Sequence, residues 1–284
     1  MSEAEHYPLG FNGGSLRAHC MEMYRDELKL AHGTCFIVWH RVHINGKCEN
    51  KLLLFTAQHN ASGLNFFSRQ CLNKSCATPN KLKIYLPLNE NPFNFFIHEI
   101  DLENEKIIHH PEGENHCDVI AFNISAQVAE KIEPVAFIST RNMGHEIGSQ
   151  KYAPADDLQI LGFPFERQQN ALPVWMSGNF AYEPSRKFPY TWKEKDISKQ
   201  RELPAYLINA KTFSGQSGSP VMRHHRDQPS WCGSGWMTPA GAVDELIGIY
   251  TCRLEPTGLT NMSPDLGLVW GCEVLEGFFI PENF

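Results

Sequence analysis

From residue 33 onward the chain breaks into short apolar runs bounded by Gly, Pro, Asn or Asp. GTCFIVWHRVHING, KLLLFTAQ, KLKIYLPL, NPFNFFIHEIDL and CDVIAFNI form a first set, and LQILGFPF, VWMSGNFAYEP, PAYLINAKTF, SPVMRHH, ELIGIYTCRL and LGLVWGC a second. These runs are rich in β-branched and aromatic residues, and some alternate apolar with polar positions, which marks strands. About a dozen strands at this spacing predict an all-β protein built from barrels. Helical spacing is expected only at the ends. SLRAHCMEMYRDELKLA (15–31) carries apolar residues at helical intervals behind a candidate cap, Ser15. A short helix is expected near VLEGFF (274–279).

The least strand-like stretch is QVAEKIEPVAFISTRNMGHEIGSQKYAPAD, near 126–156, which divides the strands into two sets of similar size. A two-barrel chain with a crossing linker fits this division. Two long polar loops are expected in the second set, at 185–204 and 223–245. No internal repeat is strong enough to use.

Composition narrows the class. The chain has 284 residues, 42% hydrophobic and 20% charged, as folded globular proteins do. A formal net charge of −7 argues against a nucleic-acid partner. No run approaches the roughly 18 apolar residues of a membrane span, so no membrane association is expected. The N-terminus lacks a secretory signal pattern. The nine cysteines are odd in number and irregular in spacing, which predicts mostly buried, reduced thiols in a cytoplasmic protein. Cys71 and Cys76, in CLNKSC, have the form of half a metal site with no second half, so neither a metal nor a cofactor is expected.

The candidate chemistry starts at KTFSGQSGSPVM (211–222). A nucleophilic serine needs a base, a group that orients the base, and amide donors for the oxyanion. Gly215 and Gly218 flank Ser217 and allow a tight turn in which the amides of Gly215 and Ser217 cradle an O⁻. By itself this stretch reads equally well as a hairpin loop. His59 follows a buried strand in LLLFTAQHN, and Asp118 heads another in HCDVIAFNI. The other histidines examined (His40, His43, His109, His110, His224, His225) read as background. The order His, Asp, Ser is one of those in which a triad occurs.

TAQHN resembles the TAAHC histidine motif of trypsin-like (chymotrypsin-fold) serine peptidases, DVIAF their aspartate motif, and GQSGSP their GDSGGP serine motif. GFPFE, VWMSGNFAYEP, LIGIYTCRL and LGLVW further resemble bacterial stand-alone trypsin-like peptidase domains. The resemblance spans roughly residues 30–275. It implies two six-stranded antiparallel β-barrels: an N-terminal extension with a helix at 1–32, a first barrel at 33–125 carrying His59 and Asp118, a linker at 126–156, and a second barrel at 157–284 carrying Ser217. It also implies Ser217 as nucleophile, His59 as base, Asp118 as its orienting partner, and the Gly215 and Ser217 amides as oxyanion hole. The pocket for the substrate side chain would involve Lys211, Thr212, Tyr250 and Arg253, with Thr251 near Asp118. The two basic residues would favour an acidic side chain, or lie at the surface with no such role.

Two departures matter. Gln216 stands where secreted members carry the aspartate that receives a new N-terminus on maturation, so that switch is not expected here. Asn60 stands where a cystine is usual. An intracellular serine endopeptidase acting on protein or peptide substrates is the expected function, with narrow specificity or control by a regulatory protein. The alternatives are a catalytically silent trypsin-like fold that binds proteins, and an esterase of another fold. The triad order and the scarcity of helices speak against the esterase.

Overall fold

The computed structural model describes residues 12–44, 47–144, 152–164, 172–194, 197–223, 230–231, 236–237, 244–254 and 265–280. It is mostly β, as the runs predict. The first set of strands is β1 (His19–Arg25), β2 (Leu28–Ile44), β3 (Lys47–Ala57), β4 (Lys81–Pro87), β5 (Phe95–Asp101) and β6 (Val119–Asn123). They pair in the order β5-β4-β1-β2-β3-β6, and β7 (Phe137–Ser139) joins the sheet by parallel pairing with β2. The second set is a closed antiparallel barrel of β8 (Asp157–Gly162), β9 (Val174–Phe180), β12 (Ala205–Ala210), β13 (Ser219–Arg223), β16 (Glu245–Arg253) and β17 (Leu266–Gly271). Between them in sequence lie two hairpins, β10 (Phe188–Glu194) with β11 (Ile197–Leu203), and β14 (Ser230–Trp231) with β15 (Trp236–Met237).

Each set of six follows one plan. The first strand pairs with the second and fourth, the third with the second and sixth, and the fourth with the fifth. In the second set the fifth and sixth strands also pair, which closes the barrel. In the first set β5 and β6 do not pair. The free edge of β6 is met instead by an isolated bridge from Ile108 to Ala121. Among the described residues the first set is therefore a sheet that does not close, where a second barrel was expected.

The expected N-terminal helix is not formed. Residues 13–16 make a short 3-10 turn capped by Asn12, and residues 19–31 form β1 and the start of β2. The apolar positions of HCMEMYR also fit alternation, which puts Met21 and Met23 in the core. Met21 pairs with Ile84 of β4 on one side and with Gly33 of β2 on the other. Asp26, at φ 53°, turns the hairpin, a left-handed conformation that Asp tolerates better than most residues. Ser15 does not cap a helix: its hydroxyl accepts the Trp175 indole N–H at 3.0 Å. Burial against β4 outweighed a weak helical pattern. Residues 19–32 thus belong to the first sheet rather than to an extension outside it.

Part of the expected 185–204 loop is also ordered structure. Phe188, Tyr190 and Trp192 alternate with polar residues, and β10 pairs with β11 over seven positions from Phe188↔Leu203 to Glu194↔Ile197. The expected linker holds α2 (Ala126–Ala129), following α1 (Gln58–Ser62), and then β7. Residues 145–151 of the linker, most of the 223–245 loop, His224, His225 and Cys232 lie outside the described residues. The expected C-terminal helix is α3 (Cys272–Glu276), and Phe278 beyond it packs edge-on against Phe55 at 5.3 Å. The largest apolar cluster draws on both strand sets, with Phe36, Phe55, Trp270 and Phe278 fully buried. Among the described residues no helix is long and apolar enough to cross a membrane.

Candidate active site

The β3–β6 register brings His59 to Asp118. Ala57, the last residue of β3, pairs with Val119, the first of β6. One step further the Gln58 amide donates to the Asp118 carbonyl at 3.2 Å, and α1 starts there. The turn of α1 directs the His59 ring at the Asp118 carboxylate, with Nδ1 to Oδ2 at 2.7 Å. The His59 backbone N–H donates to Oδ1 at 3.0 Å. Asp118 is 1% exposed, so the carboxylate receives two N–H groups away from water. Nδ1 bearing the proton leaves Nε2 as the ring's acceptor.

Ser217 sits in the turn before β13, and the first sheet holds that turn. The Thr34 hydroxyl donates to the Gly215 carbonyl at 2.8 Å, and the Thr34 N–H to the Ser217 carbonyl at 2.9 Å. The Asn60 side chain, one turn-position beyond His59, donates to the same Ser217 carbonyl at 3.0 Å and to Thr56 Oγ1 at 3.0 Å. The Gly218 N–H donates to the Tyr250 carbonyl of β16. Gly218 requires its glycine: φ is +90°, and a Cβ would lie 2.0 Å from the Thr34 carbonyl oxygen. The turn that carries Ser217 is therefore clamped between the two strand sets.

His59, Asp118 and Ser217 line one cleft of about 360 Å³ together with Thr212, Tyr250 and Arg253. A second, more apolar groove of about 700 Å³ runs from His59 and Ser217 past Gly215 to Leu72 and Leu28. The Ser217 hydroxyl does not bond to His59. It donates to the Thr251 carbonyl at 2.7 Å. Neither the Gly215 nor the Ser217 amide donates to any group among the described residues.

The four pocket positions separate. Thr212 and Tyr250 are buried and joined hydroxyl to hydroxyl at 2.7 Å, which closes the floor of the cleft. Burial pushes the Tyr250 phenol well up, so it stays protonated. Arg253 donates to the Thr212 carbonyl at the rim. Lys211 does not line the cleft; its ammonium lies 5.9 Å from the Phe213 ring centre. The Thr251 hydroxyl is turned away from Asp118 and accepts the Trp270 indole N–H at 3.1 Å. Burial, helped by Asp118, pushes the neighbouring Cys252 thiol up to about 12. It is thus no nucleophile near neutral pH.

Sequence reasoning missed the clamp residues Thr34 and Thr56. A hydroxyl inside each buried run, GTCFIVW and LLLFTAQ, was the available signal. It also missed Arg201, which reaches from β11 to the carbonyls of Asn115 and His116 and steadies the segment leading into Asp118. Cys71 and Cys76 are exposed free thiols. The described group most like a metal site is His110, Glu112 and His116. The two imidazoles stack almost parallel, 12° apart with centroids at 4.3 Å, so no single ion lies in both ring planes.

No family model matches the chain, and no curated protein does. Among solved structures it is similar to the active form of Rv3671c protease from M. tuberculosis. The identity is 11% and the TM-score 0.48, over 93% of this chain and 79% of that one. An inactive form of Rv3671c protease matches at 11% and 0.44, over 93% and 87%. A serine-to-alanine mutant of Rv3671c from M. tuberculosis H37Rv, also inactive, matches at 11% and 0.43, over 93% and 84%.

Proposed function

We propose that the protein is a serine endopeptidase, cleaving peptide bonds through an acyl-enzyme. The observation that carries this is the buried His59–Asp118 bond of 2.7 Å opening onto the cleft that also holds Ser217. Asp118 fixes the tautomer in which Nε2 is free to act as base, and it stabilises the imidazolium. Ser217 Oγ swings from the Thr251 carbonyl to His59 Nε2, loses its proton there and attacks the substrate carbonyl. The Gly215 and Ser217 amides receive the resulting oxyanion. His59 then protonates the leaving amine, and a water repeats the cycle to release the acid.

The Ser217–Thr251 bond supports a resting state that substrate or a regulatory protein converts. Buried free thiols, among them Cys35 and Cys117, support a reducing compartment. The same Ser217–Thr251 bond favours a second reading, a silent trypsin-like fold that binds proteins.

Labelling with a fluorophosphonate decides between them. Covalent labelling at Ser217 that Ser217→Ala and His59→Ala both lose is the expected result. Asp118→Asn should slow labelling by about 10³–10⁴-fold while the fold persists, because it leaves the imidazole in the wrong tautomer. Absence of labelling in the wild type, with and without peptide substrate, supports the binding module.

A further inference from the structure

We propose that Gln216 is the positioning residue that sets the oxyanion loop, through the oxygen of its neutral side-chain amide. The inference rests on the endopeptidase reading and says how that site is held ready. Gln216 is fully buried, at 0% exposure. Its Oε1 accepts the Phe213 N–H at 2.8 Å. Its own N–H donates to the Phe213 carbonyl at 3.3 Å, and its carbonyl accepts from Ser219 at 3.0 Å. Residues 213–216 are thereby closed into a ring by bonds that use neither of the two candidate oxyanion amides.

The oxygen is the working atom of the side chain. Among the described residues Gln216 Nε2 has no hydrogen-bond partner, and neither has the buried hydroxyl of Ser219 beside it. Both lie against Gly162, where a Cβ would come 2.2 Å from Ser219 Oγ and 3.2 Å from Gln216 Cγ. Leaving a buried amide nitrogen unpaired is costly, so packing alone would favour an apolar side chain there. The loop has no slack to find another shape. Gly215 stands at φ +95°, where a Cβ would overlap the Phe163 carbonyl oxygen at 2.4 Å. A carboxylate at this depth needs a cation beside it. A neutral amide does not, so the loop takes its working form without a new amino terminus or any cleavage of the chain.

The test compares the full chain with Gln216→Met, which keeps the volume and loses the acceptor, and with Gln216→Glu, which burial without a cation holds as the neutral acid and which so keeps an acceptor oxygen. Two readouts are taken on protein whose thermal unfolding shows it folded. They are hydrogen exchange of the Phe213 amide, and kcat and KM for a p-nitrophenyl ester. Gln216→Met should expose the Phe213 amide to exchange and lower kcat by about 100-fold, the typical cost of a lost oxyanion donor, with KM changed little. Gln216→Glu should keep the Phe213 amide protected and recover part of kcat. Unchanged protection and kcat in Gln216→Met overturn the proposal. If Gln216→Met does not fold, Gln216→Glu decides, and loss of protection there overturns it. A wild type that protects Phe213 but neither hydrolyses the ester nor labels removes the endopeptidase reading and leaves the loop assignment standing.

Discussion

Single residues here do their work by being buried without freedom. His19 is 1% exposed, its Nε2 has no partner among the described residues, and burial brings its pKa down to about 3. A histidine that is neutral in the fold and titrates near 6.5 in the unfolded chain adds stability above pH 6.5 and loses it as pH falls. Urea unfolding should therefore weaken between pH 6.5 and about 3, by up to about 1.4 kcal/mol per pH unit from this group. His19→Phe should flatten that slope, and an unchanged slope would assign the acid sensitivity to other groups. His110, brought down to about 4 by burial and then by its neighbour His116, adds to the same trend. The motif residues were legible at this scale because each stands inside a short run of defined neighbours. The partners of His19 and Gln216 were not, since a sequence names a side chain but not what surrounds it.

At the scale of elements, the site is a product of register. His59 and Asp118 meet because β3 and β6 pair from Ala57↔Val119, and Ser217 joins them because β2 and α1 grip its turn. Thr34 is the centre of that grip. Its hydroxyl donates to the Gly215 carbonyl and accepts the Phe163 N–H at 3.2 Å. Thr34→Val keeps the shape and removes both bonds, leaving two buried backbone groups unpaired. The expected loss is about 2–6 kcal/mol of unfolding free energy, at about 1–3 for each group. A loss near zero would mean that the turn closes without Thr34. Strand existence was readable from β-branched and aromatic runs. The N-terminal helix failed because HCMEMYR fits two periods at once, and contact with β4 selected the shorter one. The sequence of the β10–β11 hairpin reads as loop because its polar residues mask the alternation of Phe188, Tyr190 and Trp192.

Over the whole molecule, two strand sets share one pairing plan, one closed and one open at a seam. The N-terminal segment ties them. Arg17 lies just before β1 and bonds Asp244, just before β16, at 2.7 Å, with both side chains largely buried. Removing one partner strands the other charge away from water. Asp244→Ala should therefore cost about 3–5 kcal/mol, while replacing both residues by apolar ones of similar volume should cost much less. Chemical denaturation of the two single variants and the double variant checks this, and a double-variant loss equal to the sum of the single losses would show that the pair does not interact.

The sequence by itself determined the class of elements and the chemistry available. Runs of β-branched and aromatic residues dictate strands, and the three motifs name a base, a carboxylate and a hydroxyl. It also placed a neutral Gln216 beside that hydroxyl. Tertiary structure alone decided which strand lies beside which, because pairing between strands far apart in the chain depends on the whole core and not on local preference. The common plan of the two sets could not be found as a repeat in the sequence, since many side-chain sets fill the same pleated surface. Only the folded chain decides that the Ser217 hydroxyl rests on the Thr251 carbonyl, and that one buried oxygen on Gln216 closes the loop beside it. A hydrogen bond has direction and a reach of about 3 Å, and neither is written in the order of residues.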